Sequence, residues 1–374
     1  MQTAMTLVEG VTEFYLDCEA HNWRQGRRIM DSIFYNDLEK RAYSIYEQYQ
    51  EEFSINNKEL KMKVINSNCY GGRTWSTGES DNIEIYSGTI NMCYEYFSAV
   101  MRIKTGEIVS ILLENQKDIN EKFFSYEALF FDDDGNCRLI DSKIRDSRIV
   151  GLLIIFCARF VLVHEMGHLF NGHCEYVKKE SSLLSYLPMV LKKKEVINEK
   201  ITALDYRTME MDADSFAATD TYKSLIVLYN LFEEKVDSEL NIRPIELFYW
   251  WSFAIRSQSL ITQDLEKNHY YKEMLNLPSV IRWANISGVF LKCLESRMLK
   301  IEYRKGDNEE VLLQQFLNGC QDAERIFNEI KHTEHNWIEE IKNGSLYDEF
   351  GRDIHNNWRK LRKKLEHYSR LPLY

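Results

Sequence analysis

The sequence predicts an α+β fold that is predominantly helical, with a small antiparallel sheet and a helical C-terminal extension. Three observations carry this. Helix breakers are scarce, with 4 prolines and 16 glycines in 374 residues, so long helices are expected. The run Asn82-Ile83-Glu84-Ile85-Tyr86 alternates apolar and polar residues before Ser87-Gly88 and reads as a strand ended by a glycine. Beyond Pro244 the chain reads as almost wholly helical.

In chain order, residues 1–60 place charged and aromatic residues at helix-like intervals and form a helical N-terminal segment. Residues 61–80 contain Gly71, Gly72 and Gly78 and read as loop. The strand at 82–88 follows, then a helix over 89–115. Two further strands are expected at 126–131 and 137–141, joined through Asp132-Asp133-Asp134-Gly135-Asn136, whose Asp-Gly is a hairpin signal. Asp146 or Ser147 caps a helix that runs to about Phe170, where Asn171-Gly172 is a stop signal. Residues 178–200, with Pro188 and the Lys192-Lys193-Lys194 run, read as a surface excursion. A second strong helix covers 202–235. The expected division is 1–60, a central domain over 61–290 and a helical extension over 291–374.

Composition narrows the partners. The net charge is -11, which argues against nucleic acid, since phosphate binding favours a basic surface. The N-terminus lacks the pattern of a secretory signal. The 8 cysteines are scattered with no CxxC pair and read as reduced thiols of a cytoplasmic protein. The most apolar stretch, Ile149 to Val163, is short for a bilayer span and is interrupted by Arg159, so it reads as a buried core helix and no transmembrane segment is expected.

That helix carries His164-Glu165-Met166-Gly167-His168. Positions i and i+4 share a helix face, so the two imidazoles can hold one zinc ion. Glu165, beside the first ligand, can act as general base and then general acid. Two surface histidines and a salt-bridging glutamate are the competing reading.

A catalytic zinc needs a third protein ligand. The best source is Glu210-Met211-Asp212-Ala213-Asp214. Glu210 and Asp214 are again i and i+4, so Glu210 is the candidate ligand. Asp214, one turn on, is placed to fix a ligand histidine from behind. Ala213 and Ala217 are small enough for close helix packing. An acidic solvated face is the alternative. His173 falls about 140° from His168 around an unbroken helix and is set aside. Asn171 and Cys174 stand where a metzincin has Gly and His. Asp205 and Asp212 are left outside the site, and His332 and His335 are taken as surface residues of a polar helix.

HEMGH followed by an E-x-x-A-D-x-F-A helix resembles the gluzincin-type zinc metallopeptidases. It is similar to the HtpX/CAAX-protease, ImmA/IrrE and Lit-like phage-exclusion families. The resemblance covers about residues 80–290, and only the two metal-binding helices are specific within it. It implies a zincin-like domain, Zn2+ as cofactor, a protein or peptide substrate, and a possible role in phage defence or stress response. It also implies a His or Tyr from a later helix that steadies the oxyanion. His269, Tyr270, Tyr271 and Arg282 are the candidates, with aromatic packing on an amphipathic helix as the alternative for each. The chain departs from the membrane families in having no transmembrane helices and no His-Pro motif after the second helix, and it is longer than a minimal ImmA-type domain.

Zincins also bind extended substrate along a sheet edge, and the 126–141 hairpin is the candidate edge. Further on, the apolar run Phe248 to Ile255 reads as core. The basic stretch Arg359 to Lys364 is either a solvated helix end or a partner surface on the helical C-terminal region. The combined expectation is an intracellular zinc endopeptidase. A zinc-containing binding protein of the same fold without peptidase activity is the alternative.

Overall fold

The computed structural model describes residues 23–55, 58–103, 144–180, 187–188, 201–231, 242–266, 277–343 and 350–373. Ten helices and four strands lie among them: α1 (Trp23–Phe53), β1 (Glu59–Ile65), β2 (Gly72–Ser76), β3 (Ser80–Tyr86), α2 (Ser87–Ile103), α3 (Ile144–Phe170), α4 (His173–Glu180), β4 (Leu187–Pro188), α5 (Ala203–Leu231), α6 (Glu246–Glu266), α7 (Ser279–Glu295), α8 (Glu309–Lys331), α9 (Trp337–Asn343) and α10 (Arg352–Leu365). The fold is α+β and predominantly helical, as expected. The 126–141 hairpin and the lysines at 192–194 lie outside the described residues.

The sheet differs from expectation in two ways. First, it is mixed, with strand order β1-β3-β2-β4. β2 and β3 pair antiparallel, whereas β1 crosses to the far edge of β3 and runs parallel to it. Second, the segment read as loop at 61–80 supplies most of β1 and all of β2. In β1, Leu60 and Met62 are buried between exposed Glu59, Lys61 and Lys63, the period-2 alternation of a half-buried strand. The glycines that suggested loop have another cause at position 72. A Cβ there would lie 2.8 Å from the Glu84 carbonyl oxygen and 3.0 Å from Ile85 Cδ1, so glycine permits close strand approach.

Helix α3 is central. It packs against α2, α5, α6, β2 and β3, which explains why apolar residues surround it on every side. Its apolar stretch extends from Ile149 to Phe170, 22 residues. Length and composition alone would therefore suffice to cross a membrane, contrary to the shorter estimate from sequence. The stretch is fully buried inside the protein, as in the core helix of a globular fold. Arg159 is paired at 2.8 Å with Asp220 of α5. The helix ends where Asn171-Gly172 predicts, with Gly172 at φ +81°, the left-handed conformation glycine adopts most easily at a helix stop. The next helix, α4, begins at His173.

The helices after Pro244 form the other half of the core. α6 packs most extensively on α8, and α10 packs on α5. One continuous apolar cluster runs from Leu38 to Leu373. The segment after α10 returns to the end of α3, where the Arg370 amide donates to the Phe170 carbonyl at 2.8 Å. His332 and His335 are not helical. His332 is the left-handed C-cap of α8, and His335 lies in the irregular stretch before α9 with its Nδ1 3.0 Å from Glu340 Oε1.

Candidate metal centre

Two helices build the site. Gly167 of α3 faces Ala213 of α5 so closely that a Cβ at 167 would lie 3.2 Å from the Ala213 Cα. Small residues on both sides let the backbones approach, and the side chains one turn away then meet. His164 and His168 project from α3 and Glu210 from α5. The donor atoms of the three lie within 4.8 Å of one another, and all three residues are buried. His164 Nε2 and His168 Nε2 are 3.2 Å apart. Glu210 Oε2 is 3.4 Å from His164 Nε2, and Oε1 is 3.4 Å from His168 Nε2.

The two imidazole nitrogens, and each of them with one or the other Glu210 oxygen, stand near the separations that a metal requires. Bonds of about 2.0–2.1 Å in tetrahedral arrangement put neighbouring donors about 3.3–3.4 Å apart. Two imidazoles and a carboxylate suit a divalent transition ion. The group can therefore hold a metal.

Asp214 stands behind His164, its Oδ1 2.9 Å from His164 Nδ1. The contact is an ion-pair distance outside hydrogen-bond geometry, and a carboxylate so placed favours the proton on Nδ1, which leaves Nε2 for the other donors. Arg282 of α7 grips Asp214 with both arms, Nε to Oδ2 at 2.8 Å and Nη2 to Oδ1 at 2.6 Å. Its Nη2 is 3.9 Å from Glu210 Oε2. The structure thus sets Arg282 behind the carboxylates. His269, Tyr270 and Tyr271 lie outside the described residues.

The electrostatics follow from burial and charge. Burial opposes ionisation of Asp214 and Glu210. The Arg282 charge outweighs it at Asp214 and the two histidines outweigh it at Glu210, so both carboxyls sit below their ordinary range. Burial also disfavours a charged His164, but contacts with Asp214 and Glu210 push its pKa up to about 9. His168 is dominated by burial and falls to about 4.

Glu165 is different. It is 1% exposed, and neither carboxyl oxygen has a hydrogen-bond partner among the described residues. Burial raises its pKa to about 8, with the Glu210 charge adding to the effect and His164 and Arg282 opposing it. A cation at the three donors would bring it down again.

Two residues that the sequence reading left outside the site lie against it. His173 Nδ1 lies 2.9 Å from His168 Nδ1, and Asp212 Oδ2 lies 3.1 Å from His173 Nε2. The angle that excluded His173 holds only for an unbroken helix. The stop signal at Asn171-Gly172 was the clue that the helix breaks between the two histidines.

No family model matches the sequence, no curated protein matches it, and no solved structure matches its fold.

Proposed function

We propose that the protein is a zinc-dependent endopeptidase of gluzincin type, acting on a specific protein or peptide substrate in the cytoplasm. The observation that carries this is Glu165. A buried carboxyl with no hydrogen-bond partner costs about 1–3 kcal/mol or more. The cost has a purpose if Glu165 is held ready beside a metal-bound reaction centre. Two histidines and one glutamate are among the ligand sets used by catalytic zinc. The free thiols of Cys69, Cys93, Cys157, Cys174, Cys293 and Cys320 suit a reducing compartment.

When bound, zinc supplies Lewis acidity, acidifying water and polarising a carbonyl. His164, His168 and Glu210 would hold it, with Asp214, gripped by Arg282, placed behind His164. Glu165 takes a proton from the attacking water as the new carbon–oxygen bond forms. It returns that proton to the amide nitrogen as the carbon–nitrogen bond breaks. A defence or stress-response role is part of the proposal through the likeness of the two metal-binding helices to Lit-like and ImmA/IrrE peptidases.

The near-complete burial of the donors favours a second reading, a structural metal inside a binding or regulatory protein, because a catalytic zinc needs an open position. One variant separates the two. The purified protein is assayed for metal and incubated with lysate, and new protein N-termini are read by mass spectrometry. Glu165→Gln is expected to keep zinc and lose the chelator-sensitive N-termini produced by the wild type. Equal products from both proteins, or none from either while zinc is bound, would reject the peptidase. A wild-type protein that binds no zinc rejects the metal centre itself.

A further inference from the structure

We infer that His173 is a positioning residue that sets the tautomer of His168 and so determines whether His168 can ligate a metal. The inference rests on the metal reading above. The two candidate histidine ligands are supported in different ways. His164 has a carboxylate behind it, Asp214 at 2.9 Å. His168 has a second imidazole, His173, with the two Nδ1 atoms 2.9 Å apart. His173 is fully buried.

Two facing ring nitrogens allow two arrangements. Either His168 donates Nδ1–H to a lone pair on His173, or His173 donates to His168. In the first, the His168 Nε2 lone pair is free and faces His164 Nε2 and Glu210. In the second, His168 carries its proton on Nε2, inside the donor cluster, where it blocks a metal.

Asp212 selects between them. Its Oδ2 lies 3.1 Å from His173 Nε2, and a carboxylate only accepts. The contact lies outside hydrogen-bond geometry, but the carboxylate charge so close to Nε2 favours the His173 tautomer protonated there, which leaves Nδ1 as the acceptor and His168 as the donor. Asn171 holds Asp212 in place by donating Nδ2–H to the same Oδ2 at 2.6 Å. Asn171, His173 and Asp212 thus form a relay behind His168. The residues of the α3 stop signal and the start of α4 belong to the site through it.

Zinc affinity, measured by competition with a chromogenic chelator, tests this without any substrate. His173→Leu removes the acceptor and fills the space. His173→Asn puts an amide oxygen about where Nδ1 was. Loss of an outer hydrogen-bond partner typically weakens metal binding about 10–100-fold. His173→Leu is expected to bind zinc at least about tenfold more weakly than wild type, and His173→Asn within about threefold of it. Equal affinity of His173→Leu and wild type would overturn the relay, as would equal loss in both variants. Wild-type protein that binds no zinc would instead overturn the metal reading. Long-range proton–nitrogen NMR on zinc-loaded wild type labelled with nitrogen-15 histidine gives an answer independent of variant folding. His173 is expected to carry its proton on Nε2 and His168 on Nδ1, and a proton on His173 Nδ1 sinks the proposal.

Discussion

Gly72 of β2 lies directly against Glu165 of α3: a Cβ at position 72 would sit 3.2 Å from Glu165 Oε1. The strand backbone thus packs against the carboxyl that has no hydrogen-bond partner among the described residues. Gly72→Ala meets that carboxyl and also the Glu84 carbonyl oxygen at 2.8 Å. The carbonyl is backbone and moves only with its strand. Overpacking of this kind costs about 1–3 kcal/mol. Gly72→Ala is expected to lower the urea midpoint accordingly, and an unchanged midpoint would show that β2 can slide away from α3.

Metal removal has a defined thermodynamic signature. A ligand that binds only the folded chain stabilises it by about 2.7 kcal/mol at a hundredfold excess over Kd. Zinc added to chelator-stripped protein should therefore raise its melting temperature by several degrees. In Glu210→Gln the shift should shrink or vanish, because the ion pairs with His164 and His168 show that the Glu210 charge faces both rings. Full retention of the shift in that variant would remove Glu210 from the donor set.

How much of this was legible beforehand depended on whether the contact was local. His164 with His168, and Glu210 with Asp214, are each one helical turn apart, so their spacing announced a shared face. The stop at Gly172 was legible for the same reason. Strands β1 and β2 were not, because Gly71, Gly72 and Gly78 signal loop and the alternation through Leu60 and Met62 straddles the start of that segment. The parallel β1–β3 pairing depends on how the whole sheet assembles. His173 is outside the three donors, as expected, but its contact with His168 was missed because a helical angle was carried across a helix break. The Arg282 grip on Asp214 spans 68 positions and has no local signature.

That grip makes Arg282 a stability residue as well as a site residue. Asp214 is fully buried, and Arg282 supplies the positive charge and both arms of the fork. Removing one partner of a buried pair typically costs about 3–5 kcal/mol. Arg282→Met should fall in that range in chemical denaturation. Arg282→Lys restores charge without the planar fork and should recover part of the loss. An Arg282→Met loss below about 1 kcal/mol would mean that Asp214 is satisfied by His164 alone.

The C-terminal segment supplies a prediction in pH. Arg370 pairs with the buried Asp81, its Nη2 lying 2.9 Å from Oδ1, and also reaches Glu175 Oε1 at 2.7 Å. Tyr46 and Ser76 donate to Asp81 at 2.5 Å and 2.6 Å. Burial pushes the Asp81 pKa up, but Arg370 first, then Ser76 and Tyr46, outweigh it and hold it below the ordinary 3.8. A carboxyl depressed in the folded state contributes stability above its unfolded pKa and loses it as pH falls through the folded value. Arg370→Met removes the main cause of the depression and leaves Asp81 buried beside two hydroxyls, with Lys58 Nζ 3.8 Å away as the remaining cation. The variant should be less stable than wild type by about 3–5 kcal/mol at neutral pH. The gap should narrow as pH falls from the Asp81 pKa of the variant, raised by burial, towards the depressed one of the wild type, because a protonated Asp81 has no charge to pair. Urea denaturation of both proteins from pH 7 down to pH 3 measures this directly, and a gap constant over that range would show that Arg370 acts only by packing.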